Sequence, residues 1–136
     1  MENSKRKAFT PLPEEVENYS KVVLNAAFKV HTSLGPGLLE SIYETCLAYE
    51  IRKSGVLVET QLVLPVVYDG IQLENGLRLD ILVEKQLIVE IKAVEQINSL
   101  HEAQLLTYLK LTGLRLGLLI NFNVPHLKDG IKRLIL

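Results

Sequence analysis

A single cysteine, Cys46, and no tryptophan stand in a chain of 136 residues. One thiol excludes an intrachain disulfide and a cysteine-built zinc cage, and it suits a reducing, cytoplasmic setting. Neither sign of charge is in excess: 15 Lys and Arg against 16 Asp and Glu leave a net −1. No global field therefore draws the protein to nucleic acid or an anionic membrane, and a polyanion needs a local patch. No apolar run approaches the roughly 20 residues that span a bilayer, and the polar start MENSKRKAF lacks the apolar core of a signal peptide. What is plentiful is apolar content, 48% against 23% charged, the balance of a globular protein with one core.

The polar stretch 1–13, with Ser4-Lys5-Arg6-Lys7 and two prolines, reads as an N-terminal arm, and 14–136 as one domain. From Glu14, the apolar positions Val16, Tyr19, Val23, Ala26, Ala27 and Val30 follow helical spacing up to a Gly35-Pro36-Gly37 stop. Leu39, Ile42, Tyr43, Cys46, Leu47 and Ile51 repeat the pattern until Ser54-Gly55. Then come VLVETQLVLPVVY, LRLDILV and QLIVEIKAV, a β-meander in which Asp69-Gly70 is the hairpin turn and Asn75-Gly76 a bulge. Helical SLHEAQLLTYLKLT, the apolar run LRLGLLINF and a last strand in GIKRLIL complete the order α-α-β-β-β-α-β-β. That order predicts an α/β (α+β) fold with a mixed central sheet flanked by helices.

The segment LDILVEKQLIVEIK holds charges inside apolar runs. Side chains alternate along a strand, so Leu77, Leu79, Ile81 and Val83 should share a face with Leu87, Val89 and Ile91. A three-residue turn, Glu84-Lys85-Gln86, then sets Val83 against Leu87, Asp80 against Glu90 and Arg78 against Lys92. Two carboxylates directly opposed repel each other. On a solvated face, Arg78 and Lys92 would reach diagonally to them. On a half-buried face, which Leu82 and Ile88 suggest, the pair needs a cation or a raised pKa. A hard divalent ion such as Mg²⁺, commonly held by one or two carboxylates, meets that need, and Lys92 would then orient or deprotonate a water.

Asp80 followed by Glu90-Ile91-Lys92 resembles the D…ExK core of the PD-(D/E)xK nuclease superfamily, and Gly37-Leu38-Leu39-Glu40-Ser41-Ile42-Tyr43 resembles the GxxExxY signature of one family within it. The resemblance covers roughly Val16 to Leu136. It implies a restriction-endonuclease-like core and metal-dependent hydrolysis of phosphodiester bonds in DNA or RNA. It also implies a Mg²⁺ or Mn²⁺ ion held by Asp80, Glu90 and the Ile91 carbonyl, with Glu40 acting directly or through water, and Lys92 as the catalytic lysine. Leu79 stands where a proline often precedes the aspartate.

Gln104 and Tyr108 lie four apart on the third helix, on one face, and QLLTY is similar to the QxxxY element of RecB-like members, which orders the site and contacts the nucleic-acid backbone. The other reading of this pair is a surface hydrogen bond or a Tyr packed on the sheet. Tyr43 is expected to pack the second helix or orient Glu40. His101, His31 and His126 read as structural, since none has a second His at metal-ligand spacing. The partner expected is nucleic acid, in particular DNA, with no membrane. A homodimer could join two modest basic patches. The alternative to a nuclease is a catalytically silent module of the same fold that binds nucleic acid or a protein.

Overall fold

The computed structural model describes residues 10–136. Most of the arm expected over 1–13 lies outside them. Its last residues are tied down: Arg115 donates to the carbonyls of Thr10 at 2.7 Å and Pro11 at 3.2 Å, and Leu12 packs on the core.

The predicted order of elements is found, as α1 (Glu14–Leu34), α2 (Glu40–Lys53), β1 (Val58–Tyr68), β2 (Ile71–Val83), β3 (Leu87–Lys92), α3 (Ser99–Thr112), β4 (Leu116–Asn121), a 3₁₀ turn (Leu127–Gly130) and β5 (Ile131–Ile135). The five strands form one sheet in chain order. All neighbours are antiparallel except β3 and β4, which α3 joins as a crossover.

Each helix sits where the sequence punctuates it. Acidic residues crowd the first turn of α1, where the helix dipole favours them. Asn98 and His101 make a reciprocal cap at the start of α3, and Gly113 closes it in the left-handed conformation. His31 donates through Nε2–H to the Val124 carbonyl at 2.8 Å, a structural tie.

Two apolar clusters lie on opposite faces of the sheet. One joins α1 and α2 to Ile81, Val83, Leu87, Val89, Ile91, Leu116, Leu118 and Ile120. The other joins Leu105 and Leu109 of α3 to Leu77, Leu79, Leu82, Ile88 and Leu119. All of β4 is buried, as its unbroken apolar run requires. Gly117 leaves room for Leu105, whose side chain would lie 2.8 Å from a Cβ there. Burying each such leucine contributes about 1.5–3 kcal/mol.

The simple alternation expected along β2 is broken. Ile81 and Val83 face the helices α1 and α2, whereas Leu77 and Leu79 face α3. On β1, Val58 and the half-buried Leu62 and Leu64 change sides in the same way. Between them, the ladder pairs Thr60 with Ile81 and Leu62 with Leu79 but skips Gln61 and Asp80, and Gln61 adopts φ +50°. Both strands swivel at this point, so one set of odd positions serves two cores.

Beyond the swivel the β1–β2 hairpin runs on without β3 beside it, since β3 pairs only with Ile81–Val83. Asp69-Gly70 makes its two-residue turn, both residues at positive φ. The bulge expected at Asn75-Gly76 is present as a register shift opposite Leu64 and Val66. Val67, Tyr68, Ile71 and Leu73 near the tip are exposed.

Candidate active site

The turn Glu84-Lys85-Gln86 sets Val83 against Leu87, as expected. The register expected further on is corrected. The β2–β3 ladder ends at Ile81 and Val89, and neither Asp80–Glu90 nor Arg78–Lys92 continues it. Side chains replace the missing rungs: the Asp80 N–H donates to Glu90 Oε2 at 2.9 Å, and the Ile91 N–H donates to Asp80 Oδ2 at 2.9 Å. The swivel of β2 turns Asp80 away from its ladder position, so its carboxylate caps the neighbouring strand instead of flanking it. Asp80 and Glu90 thus meet, by a different geometry from the one parity predicts.

Glu90 is only 4% exposed. Burial foremost, then the charge of Asp80, push its carboxyl up to about 8; Glu40 adds to the rise, and the Asp80 N–H and the Lys92 charge oppose it. At neutral pH the site therefore resists holding two negative charges. Each carboxylate spends one oxygen on a backbone donor, and Glu90 Oε1 has no hydrogen-bond partner among the described residues. An all-oxygen pair with free lone pairs beside an unfavourable buried charge fits a hard divalent cation. Among the described residues no three His, Cys, Asp or Glu side chains converge as a cage, so the fit is that of a two-carboxylate site completed by water.

Glu40 opens α2, and the loop before that helix is held by Tyr43. The Tyr43 hydroxyl donates to the Gly35 carbonyl at 2.6 Å and accepts from the Leu38 N–H at 3.0 Å, while its ring stacks on Phe122 with centroids 4.7 Å apart. Gly37 takes φ +100° in that loop, which favours glycine. The Gly-x-x-Glu-x-x-Tyr spacing is thus a mechanical unit: a turn, an acidic first helical residue, and a buried tyrosine one turn on that ties them. Burial first, then Asp80, raise the Glu40 carboxyl above its usual range, against the charges of Lys92, Arg78 and His101. Those interactions bring Glu40 into the field of the pair.

Lys92, half-buried at the end of β3, lies opposite Asn121 of β4. Its carbonyl accepts from the Phe122 N–H at 3.0 Å, and it forms no ion pair within 4 Å among the described residues. Tyr108 of α3 is half-buried, and its hydroxyl pKa is raised by burial, then by Glu90 and Asp80, against a backbone hydrogen bond from Arg78. Gln104, a turn earlier, is exposed and makes no side-chain hydrogen bond to a described residue. His101 stays in its helix cap.

Sequence reasoning missed three neighbours. Glu44, one turn after Glu40, accepts from Gln61 Nε2 at 2.6 Å, and the same nitrogen lies 3.4 Å from Asp80 Oδ1. Burial first, with Asp80 and Glu40, raises the Glu44 carboxyl, while Gln61 opposes the rise. The i, i+4 spacing from Glu40 was a signal for Glu44; nothing marked Gln61, whose role depends on the swivel. Asn121, 1% exposed, accepts from the Val94 and Asn123 N–H groups at 3.1 and 3.2 Å and donates to the Val94 carbonyl at 2.9 Å, fixing the chain just after Lys92.

A mixed sheet flanked by helices, with an acidic pair and a lysine on adjoining strands, is the arrangement of a nuclease-type fold. The model of the PD-(D/E)XK nuclease superfamily matches residues 17–134, and the chain belongs to that superfamily. No curated protein and no solved structure matches it. Among the described residues, no helix is long and apolar enough to cross a membrane.

Proposed function

We propose that the protein is a metal-dependent nuclease that hydrolyses phosphodiester bonds in DNA or RNA, with DNA the favoured substrate, and that it belongs to the GxxExxY branch of its superfamily. The observation that carries this reading is the buried Glu90, pushed up to about 8 beside Asp80, a pair whose double charge a bound cation would stabilise. Asp80 and Glu90 would hold Mg²⁺ or Mn²⁺ with the Ile91 carbonyl, and Glu40 would add a carboxylate directly or through water. Such an ion supplies positive charge to the phosphodiester and makes water a better nucleophile at neutral pH.

The chain's own groups do the rest. Lys92, with no ion pair among the described residues, would take or orient the proton of the attacking water and offset charge as the phosphorus centre becomes more negative. Tyr108 and Gln104 would touch the nucleic-acid backbone or hold the carboxylates in order, and Tyr43 keeps Glu40 in place. The single free thiol, Cys46, supports a cytoplasmic setting, and a homodimer would combine the modest basic surface of two copies.

The test is a cleavage panel over single- and double-stranded DNA and RNA with Mg²⁺ or Mn²⁺. Cleavage is expected, and its loss in Asp80→Ala, Glu90→Ala and Lys92→Ala with folding retained. Activity unchanged in those variants would refute the site. Binding of nucleic acid without cleavage would favour the silent module instead.

A further inference from the structure

Among the described residues, five other than glycine have positive φ: Gln61, Asp69, Asn75, Glu84 and Lys85. Four of them sit in turns or at the bulge. Gln61 alone lies in a strand away from any turn or register shift, where neither its side chain nor a turn favours the left-handed region. It stands opposite Asp80 in the skipped rung, and its amide nitrogen reaches two carboxylates from two other elements, Glu44 of α2 at 2.6 Å and Asp80 of β2 at 3.4 Å. With the Ile91 N–H on Oδ2, both oxygens of Asp80 then face a donor, the backbone one at 2.9 Å and the Gln61 amide at 3.4 Å.

We infer that Gln61 is a positioning residue for Asp80, anchored by Glu44, and that the swivel of the β1–β2 hairpin exists to aim it. The chain of contacts runs from α2 through Gln61 to the carboxylate and sets its plane before any ligand arrives. A carboxylate already oriented loses less freedom on binding a cation, and such outer contacts typically change metal affinity by about 10–100-fold. The inference rests on Asp80 being a metal ligand, as proposed above, but its first test does not.

That test replaces Gln61 by glycine, which tolerates the same backbone and removes the whole side chain, its amide included. In metal-free protein, hydrogen exchange at the Ile91 amide, which reports on the hold of Asp80 Oδ2, should quicken in Gln61→Gly while the melting temperature stays level or rises. Unchanged exchange at Ile91 would overturn the inference. Calorimetric titration with Mg²⁺ is the second arm, with Asp80→Asn as the control that must abolish binding; if the wild type binds no Mg²⁺, it is the proposed metal site that fails, and the exchange result still decides the role of Gln61. Where the wild type binds, Gln61→Gly should weaken affinity about tenfold. Glu44→Leu should weaken it in the wild type but add nothing in the Gln61→Gly background. An equal loss in both backgrounds would make Glu44 a separate electrostatic contributor and overturn the anchoring.

Discussion

Replacing Glu90 by glutamine removes a charge from the buried pair while leaving an oxygen to accept the Asp80 N–H, now 2.9 Å from Oε2. The Glu90 carboxyl is raised from 4.5 to about 8, so between those values the folded protein keeps a proton that the unfolded chain has lost. Stability must therefore be highest at and below the unfolded value and fall as pH rises toward 8. At 1.36 kcal/mol per pKa unit, the full loss is about 3–5 kcal/mol. Glu90→Gln lacks that loss. The two proteins should be close in stability near pH 5 and diverge above it, with the variant melting roughly 10–20 °C higher at pH 9 without metal. Chemical denaturation at half-unit pH steps, in a metal chelator, measures the slope. Parallel pH profiles, or a variant less stable than wild type at pH 9, would show that Glu90 ionises without penalty and would remove the main argument for a cation.

Three further outcomes follow from the same geometry. Millimolar Mg²⁺ at pH 8–9 should restore the melting temperature of the wild type and leave Glu90→Gln unmoved, a scan that fails the reading if both shift equally. Tyr43→Phe leaves the Gly35 carbonyl and the Leu38 N–H without their partner and should cost about 1–3 kcal/mol, visible in urea unfolding, with a fall in cleavage as the start of α2 loosens. Arg78, exposed beside Asp80 and in the field of Glu40 and Glu44, should meet a substrate phosphate: Arg78→Ala is expected to weaken DNA binding and lower the slope of log affinity against log salt by about one, with unchanged melting.

Much of the fold was legible because local and global signals agree. The helical spacing from Val16 to Val30 ended at a glycine-rich stop, and the helix ends there; Asp69-Gly70 permitted the one turn its strands could use. The Asp80–Glu90 encounter was legible too, but only as a pairing, since parity assumes a strand that keeps one twist throughout. The swivel at the skipped rung between Gln61, left-handed, and Asp80 violates that assumption, and Leu79 and Ile81 on either side of it serve different cores. Nothing in a one-dimensional pattern marks a glutamine as the residue that will bear such strain. Asn121 was hidden for the other common reason: its importance lies in filling backbone hydrogen bonds of a segment brought beside it by the β3–α3–β4 crossover.

Phe122 has a consequence for the order in which the protein acquires its chemistry. Its ring carries Tyr43, and with it the start of α2, while its N–H holds the Lys92 carbonyl. The two flanks of the site, at Tyr43 and at Lys92, both lean on a residue that follows them in the chain. A chain still emerging from the ribosome without Phe122 has every acidic residue of the site and the lysine, yet lacks the ring under Tyr43 and the N–H that holds the Lys92 carbonyl. Competence arrives only once β4 and Phe122 have been made, and a truncated product that stops before β4 carries the residues of the site without these two supports.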